Sequence, residues 1–228
     1  MLWLDKILIA VMYNDLVAFL PHLYFILKGI TVTLKYSVIS VFFGLIIGTI
    51  LAFCKVIDLK ILRLAAHAYT SIFRGTPLLI QLTIIYFGLP GLIGLKLSVF
   101  AAGVIAFSLN SGAYVSEIIR AGIESVDKGQ VEAAKALGIS PILRMKDIIL
   151  PQAFRYILPA LVNELINLVK ESALISVIGE MDLMRRAQVI SAETYTFFTP
   201  MLTAAIAYYF MVLIISSFAL VLEKRLAI

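Results

Sequence analysis

The chain is 228 residues long, which suits one domain and allows at most two. Its 62% hydrophobic and 14% charged residues, with a mean hydropathy of +1.03, exclude a soluble globular fold, disorder and a coiled coil; soluble domains run about 45–50% apolar and about 25% charged. The net charge of +5 would suggest nucleic acid in a soluble protein, but in a polytopic membrane protein it reads as cytoplasmic loops facing anionic lipid and partner proteins, with no nucleic acid.

In chain order, residues 1–20 are apolar but interrupted by Asp5, Lys6, Asn14 and Asp15. The segment has neither a basic start nor a small-residue cleavage site, so it does not fit a signal peptide. It is expected to lie in the membrane interface as a helix anchored by Trp3 and Tyr13, with a sixth span as the alternative. Residues 21–228 are expected to form one transmembrane domain. Within it, five apolar runs are long enough for a hydrocarbon core of about 30 Å: 26–53, 64–89, 97–119, 160–178 and 200–222. Gly44 and Gly48 in the first allow close helix packing. Pro90-Gly91 is expected to break the chain after the second span. Pro159 is expected to open the fourth, and Thr199-Pro200 the fifth. Gly179 sits where a glycine would end the fourth.

Lys and Arg set the orientation. Eleven fall in the first and third connections and the tail, five on the opposite side, and Lys35, Arg74 and Lys170 within spans. The positive-inside rule places the eleven in the cytoplasm, so five spans put the N-terminus outside and the C-terminus inside. The lone Cys54 cannot form an internal disulfide, and His22 and His67 have no metal-ligand partners nearby, so no metal site is expected.

The third connection, about 125–158, carries the most information. Ser125 or Asp127 can cap a short helix over Gln130, Glu132, Ala133 and Ala134, which Gly138 ends in the left-handed conformation. Ala133 and Ala134 keep that helix slim for close approach, and Glu132 offers a charge for registry. Ser140-Pro141 starts a second short helix that Pro151 is expected to stop. The spacing Glu132-Ala133-Ala134, Gly138, Ile148, Leu150-Pro151 resembles, at each defined position, the EAA loop of ABC importer permeases. Arg74-Gly75-Thr76-Pro77-Leu78 with Gln81, the stretch from Ala113 to Ile123 followed by Gly129-Gln130, and Lys170-Glu171-Ser172-Ala173-Leu174 resemble the histidine/glutamine/arginine permease subfamily. The resemblance covers residues 25–225.

That resemblance implies an all-α integral membrane protein of the type I importer fold, with five transmembrane helices, an N-terminal interfacial helix and a cytoplasmic coupling loop. It implies that Gln130, Glu132, Ala133, Ala134, Gly138, Ile148, Leu150 and Pro151 dock on an ATPase. It implies import of polar amino acids, glutamine-type permeases being the nearest in pattern, across the bacterial inner membrane. The implied partners are a dimer of ABC ATPase subunits, an extracytoplasmic solute-binding protein and a second permease, identical or homologous. No Gly-x-x-x-x-Gly-Lys-Ser/Thr stretch occurs, so the chain is expected to be a transport subunit and no enzyme, with ATP and Mg²⁺ on the partner.

Polar side chains inside spans are costly, about 2.5–3.5 kcal/mol for a central charge on insertion scales, and so cluster in interiors or wet cavities. Three clusters qualify: Asn110, Ser111, Tyr114 and Glu117; Asn163, Asn167, Lys170 and Glu171; and Arg74, Thr76 and Gln81 around a loosened Gly-Thr-Pro backbone. Two readings stand open. One is internal glue, including an ion pair of Lys170 with Glu171. The other is a path for a zwitterion, with carboxylates and asparagine oxygens for its ammonium and cations or backbone N–H groups for its carboxylate. An ion-coupled secondary transporter is the alternative function, but five spans do not split into two repeats and the coupling loop would be unexplained. An intramembrane enzyme would need a nucleophile–base pair or metal cluster that the sequence does not offer.

Overall fold

The computed structural model describes residues 19–57, 59–94 and 96–225, and every regular element in them is helical. The interfacial helix expected over 1–20 lies almost wholly outside the described residues.

The first span is part of a longer helix, α1, Phe19–Val56, whose 38 residues reach about 57 Å at 1.5 Å each. It packs most extensively on α4, Val99–Glu124, which Ser98 caps by accepting from the Ala101 N–H at 3.1 Å. Small residues make that approach possible. A Cβ on Gly48 would lie 2.5 Å from the Val115 side chain, one on Gly44 2.7 Å from Ser111 Oγ, and one on Gly112 2.5 Å from Ile47.

The expected second span is two helices, α2 (Lys60–Gly75) and α3 (Leu78–Ile93), meeting at 103°. Gly-Thr-Pro does more than loosen the helix: Thr76 and Pro77 are both extended, and the chain turns a corner there. Pro90, by contrast, does not break the chain. The helix carries on to Ile93 and ends at Gly94, φ +69°. The reason is a π-helical turn over Ile84–Gly88, in which the Leu89 N–H bonds back five residues to the Ile84 carbonyl. The wider turn takes up the misfit that a proline ring makes with the carbonyl four residues earlier.

Pro151 repeats the pattern. Helix α5 spans Lys128–Ala136, and the helix begun at Pro141 runs through a π-helical turn, Arg144–Ile149, into Leu150–Glu171. We treat 141–171 as one helix, α6. Leu150 N–H bonds back to the Met145 carbonyl, so Pro151 stops nothing, and Pro159 lies inside α6 instead of opening it. A 3₁₀ segment, Ser172–Ile178, continues the helix to Gly179, whose φ of +89° ends it as expected. Then α7, Leu183–Thr194, is capped by Asp182, and α8, Phe198–Arg225, begins two residues before Pro200.

Three apolar clusters hold these elements. Tyr36, Leu82, Ile85, Ala106, Phe107 and Ile175 join α1, α3, α4 and the 3₁₀ segment. Ile26, Val169, Leu183, Ala187, Ala207 and Met211 join α1, α6, α7 and α8. Val126, Ile149, Ala153 and Ile157 form a separate small core under α5. By length and composition, α1, α4 and α8 can each cross a membrane, and the bent α2–α3 pair can count as a fourth crossing. Arg155, Glu164, Lys170 and Glu171 keep α6 from being equally apolar.

Candidate functional site

The α5 projection is built from local bonds. Asp127 caps α5 by accepting from the Gly129 and Gln130 N–H groups at 2.8 and 3.3 Å. At the far end Gly138, φ +76°, lets the Ile139 N–H return to the Ala134 carbonyl at 3.0 Å, closing the helix end. Ser140 then caps the start of α6 through the Leu143 N–H. Gln152 Nε2 donates to the Ile148 carbonyl at 2.9 Å and to Gln130 Oε1 at 2.6 Å, tying α5 to α6. Of the expected docking residues, Gln130, Glu132, Ala133, Gly138, Leu150 and Pro151 are exposed and Ile148 is half-buried. Ala134 is the exception: only 3% exposed, it is covered within the chain instead of leaving room for a partner. Leu137 and Ile142, each 79% exposed, form an apolar tip that the sequence reading missed. The signal was there: both are apolar residues flanking turn-forming Gly138 and Pro141, where no neighbouring element can cover them. Beside α5 lies a groove of ≈690 Å³, lined in part by Glu124, Lys128, Glu132 and Lys135.

The second cluster sits at the corner between α2 and α3. Ending α2 at Gly75 leaves carbonyls without helical partners. Side chains satisfy them. Gln81 Nε2 lies 2.9 Å from the Phe73 carbonyl, 3.0 Å from that of Thr76 and 2.8 Å from Thr76 Oγ1. Asn110 Nδ2 donates to the Phe73 carbonyl at 3.1 Å and to Gln81 Oε1 at 3.0 Å. Tyr69 OH ties α2 to the Leu109 carbonyl at 2.8 Å. Thr76, Gln81 and Asn110 are therefore committed to holding the corner, and Ser111 packs against Gly44.

Glu117 is equally committed. It meets Lys55 Nζ at 2.6 Å, Arg120 at 2.7 Å and Arg74 at 3.8 Å. Arg74 also lies over the Tyr114 ring, 5.4 Å from its centre. Lys55, one of the eleven cations counted above in the connections and the tail, is buried in the last turn of α1.

The third cluster behaves differently. Asn163, Asn167 and Lys170 share one face of α6, and all three are exposed, as is Glu171. The expectation that they face the interior does not hold within one chain, because the adjacent face of α6, with buried Glu164, Leu168 and Val169, makes the contact with the bundle. Among the described residues Lys170 and Glu171 make no ion pair, either with each other or with Arg74. Towards α7, the segment after Gly179 is packed. Asp182 is fully buried and accepts from Met184 and Arg185 N–H and from Tyr208 OH. Tyr36 OH donates to Glu180 at 2.5 Å, and Arg186 donates to the Phe25 and Met181 carbonyls.

The model of a family described as "binding-protein-dependent transport system inner membrane component" matches residues 9–228. A protein of Rickettsia conorii assigned as a glutamine transport system permease is 64% identical over 217 residues, covering 95% of this chain and all of the relative. The arginine transport system permease of Bacillus subtilis is 51% identical, covering 93% of this chain and 97% of the relative. Among solved structures, an amino acid ABC transporter crystallised with histidines superposes with a TM-score of 0.87 at 43% identity, over 93% of this chain and 97% of the other. The methionine ABC transporter MetNI shares the fold, with a TM-score of 0.78 at 21% identity over 91% and 98%.

Proposed function

The chain belongs to the inner-membrane components of binding-protein-dependent transport systems, and from that premise we propose that it is the translocation subunit for a polar amino acid, glutamine before arginine. Its near relatives assigned to glutamine and to arginine transport support that substrate class. The topology we propose is N-terminus outside and C-terminus in the cytoplasm, from the Lys/Arg bias.

The observation that carries the reading is the α5 projection: a short helix, closed at both ends by its own caps, braced by a private apolar core, and tipped with exposed Leu137 and Ile142. Such a body keeps its shape when pushed. We propose that it seats in a partner ATPase, which holds ATP and Mg²⁺, with Gln130, Glu132, Ala133, Gly138, Ile148, Leu150 and Pro151 at or beside the contact. ATP-driven closure of two ATPases would then move it as a rigid body and switch access.

The path we propose runs along the exposed face of α6. Asn163, Asn167, Lys170 and Glu171 supply acceptors and donors for a zwitterion, and a second permease, identical or homologous, covers them. Arg74 and Tyr114, both exposed, extend the polar surface, while Thr76, Gln81, Asn110, Ser111 and Glu117 support it from behind. An extracytoplasmic binding protein delivers the amino acid.

The test is reconstitution with the partner ATPase and binding protein. Leu137→Asp or Gly138→Asp should weaken co-purification of the ATPase and stop uptake of labelled glutamine, with membrane insertion unchanged. Full ATPase retention and normal uptake in both variants would remove the coupling assignment.

A further inference from the structure

The small core of Val126, Ile149, Ala153 and Ile157, with half-buried Ile118, Ile119, Ile123 and Val131 packed on it, joins the last turns of α4, α5 through Val131, and the first half of α6, and the Gln130–Gln152 bond adds a second tie, making one body. A run of ion pairs leads inward from that body. Glu124, which lines the groove beside α5, accepts from Arg120 at 2.6 Å. Arg120 donates to Glu117 at 2.7 and 3.0 Å. Glu117 then meets Lys55 of α1 at 2.6 Å and Arg74 of α2 at 3.8 Å. Lys55 also donates to Ser116 at 2.9 Å. The run therefore starts at the coupling groove and ends at the residue before the Gly75–Pro77 corner.

Two features make Glu117 the vertex. Three cations from three helices share its carboxylate, and no other carboxylate among the described residues is so placed. The Lys55 side chain is 2% exposed, so parting from Glu117 would strand a buried charge, a strongly unfavourable outcome. Lys55 and Glu117 must therefore travel together when the body moves, and Arg74 is held to α4 twice, by Glu117 at 3.8 Å and by the Tyr114 ring. At its far end two stiff helices meet at 103° across a glycine and a proline, so a small displacement of Arg74 becomes a swing of α3.

Resting on the coupling reading above, we propose that Glu117 is a positioning residue that carries motion of the α4–α5–α6 body to the α2–α3 corner. Spin-label pairs within one chain test this, in a Cys54→Ser background with the partner ATPase bound. One pair joins Val38 to Lys128 and reports the body; the other joins Val38 to Leu79 and reports the corner. All three positions are exposed. In the otherwise native chain ATP should shift both distances. In Glu117→Gln only the Val38–Lys128 distance should shift, and amino acid moved per ATP hydrolysed should fall about tenfold. The double variant Lys55→Gln/Glu117→Gln leaves no stranded charge, and should give the same pattern if the single variant fails to fold. A Val38–Leu79 shift that survives in either folded variant overturns the proposal. So does a corner that ATP leaves still in the native chain while the body moves. If ATP does not move the Val38–Lys128 pair in the native chain, the coupling reading itself fails.

Discussion

Helices α4 and α6 carry the same kind of polar pattern and put it to opposite use. On α4, Asn110 and Glu117 find their partners inside the chain: carbonyls freed at the α2–α3 corner, and the cations Lys55, Arg120 and Arg74. On α6, Asn163, Asn167, Lys170 and Glu171 lie on the surface of the chain. A helix spanning hydrocarbon cannot leave such a face against lipid without cost. The α4 pattern therefore completes the fold, and the α6 pattern is left unpaired at the surface, where the proposed path places a ligand and a second subunit.

The α4 side of this contrast breaks hardest at its glycines. Gly112→Leu would drive a side chain into Ile47, where a Cβ alone already lies 2.5 Å from it. Such overpacking costs about 1–3 kcal/mol or more, so the yield of folded protein in detergent and its thermal midpoint should both collapse. Asn110→Ala should come next. It leaves Gln81 Oε1 without its donor, while the Phe73 carbonyl keeps Gln81 Nε2, at about 1–3 kcal/mol, so the melting temperature should fall, with uptake falling only in proportion to the folded fraction. On α6 the order reverses. Asn163→Ala should change stability by no more than about 0.5 kcal/mol, as at other exposed positions, while uptake by the assembled transporter drops severalfold. Smallest should be Gly138→Ala, where the left-handed backbone costs about 1–2 kcal/mol but a Cβ meets nothing within 4 Å; ATPase affinity should weaken slightly and measurably by titration.

How far the sequence spoke depends on the range of the interaction. Gly138 and Gly179 were legible as left-handed helix ends, and Asp127 as a cap, because those bonds close within a few residues. The first, third and fifth expected runs fall on helices long and apolar enough to cross a membrane, and the close approach at Gly44 and Gly48 followed from spacing; the bend in the second run and the lower apolarity of the fourth did not. The prolines misled. Pro90 and Pro151 look like helix stops, but a π-helical turn ahead of each absorbs the ring, and nothing local announces such a turn. Ala134 belonged to a recognisable motif yet is buried within the chain, and the motif's spacing does not say which face of α5 is covered. The polar stripes were found by periodicity, but periodicity does not say which face meets the bundle. That depends on Lys55 and Phe73, 62 and 37 residues away in sequence from the side chains they bind.

The central claim is that the exposed face of α6 borders water and substrate. A single cysteine in place of Asn167, in the Cys54→Ser background and reconstituted with its partners, tests it most directly. The account predicts fast reaction with a small, charged, water-soluble thiol reagent, slowed by the transported amino acid. Reaction only with a lipid-soluble reagent, unaffected by the amino acid, would contradict it, placing this face against lipid and the path elsewhere.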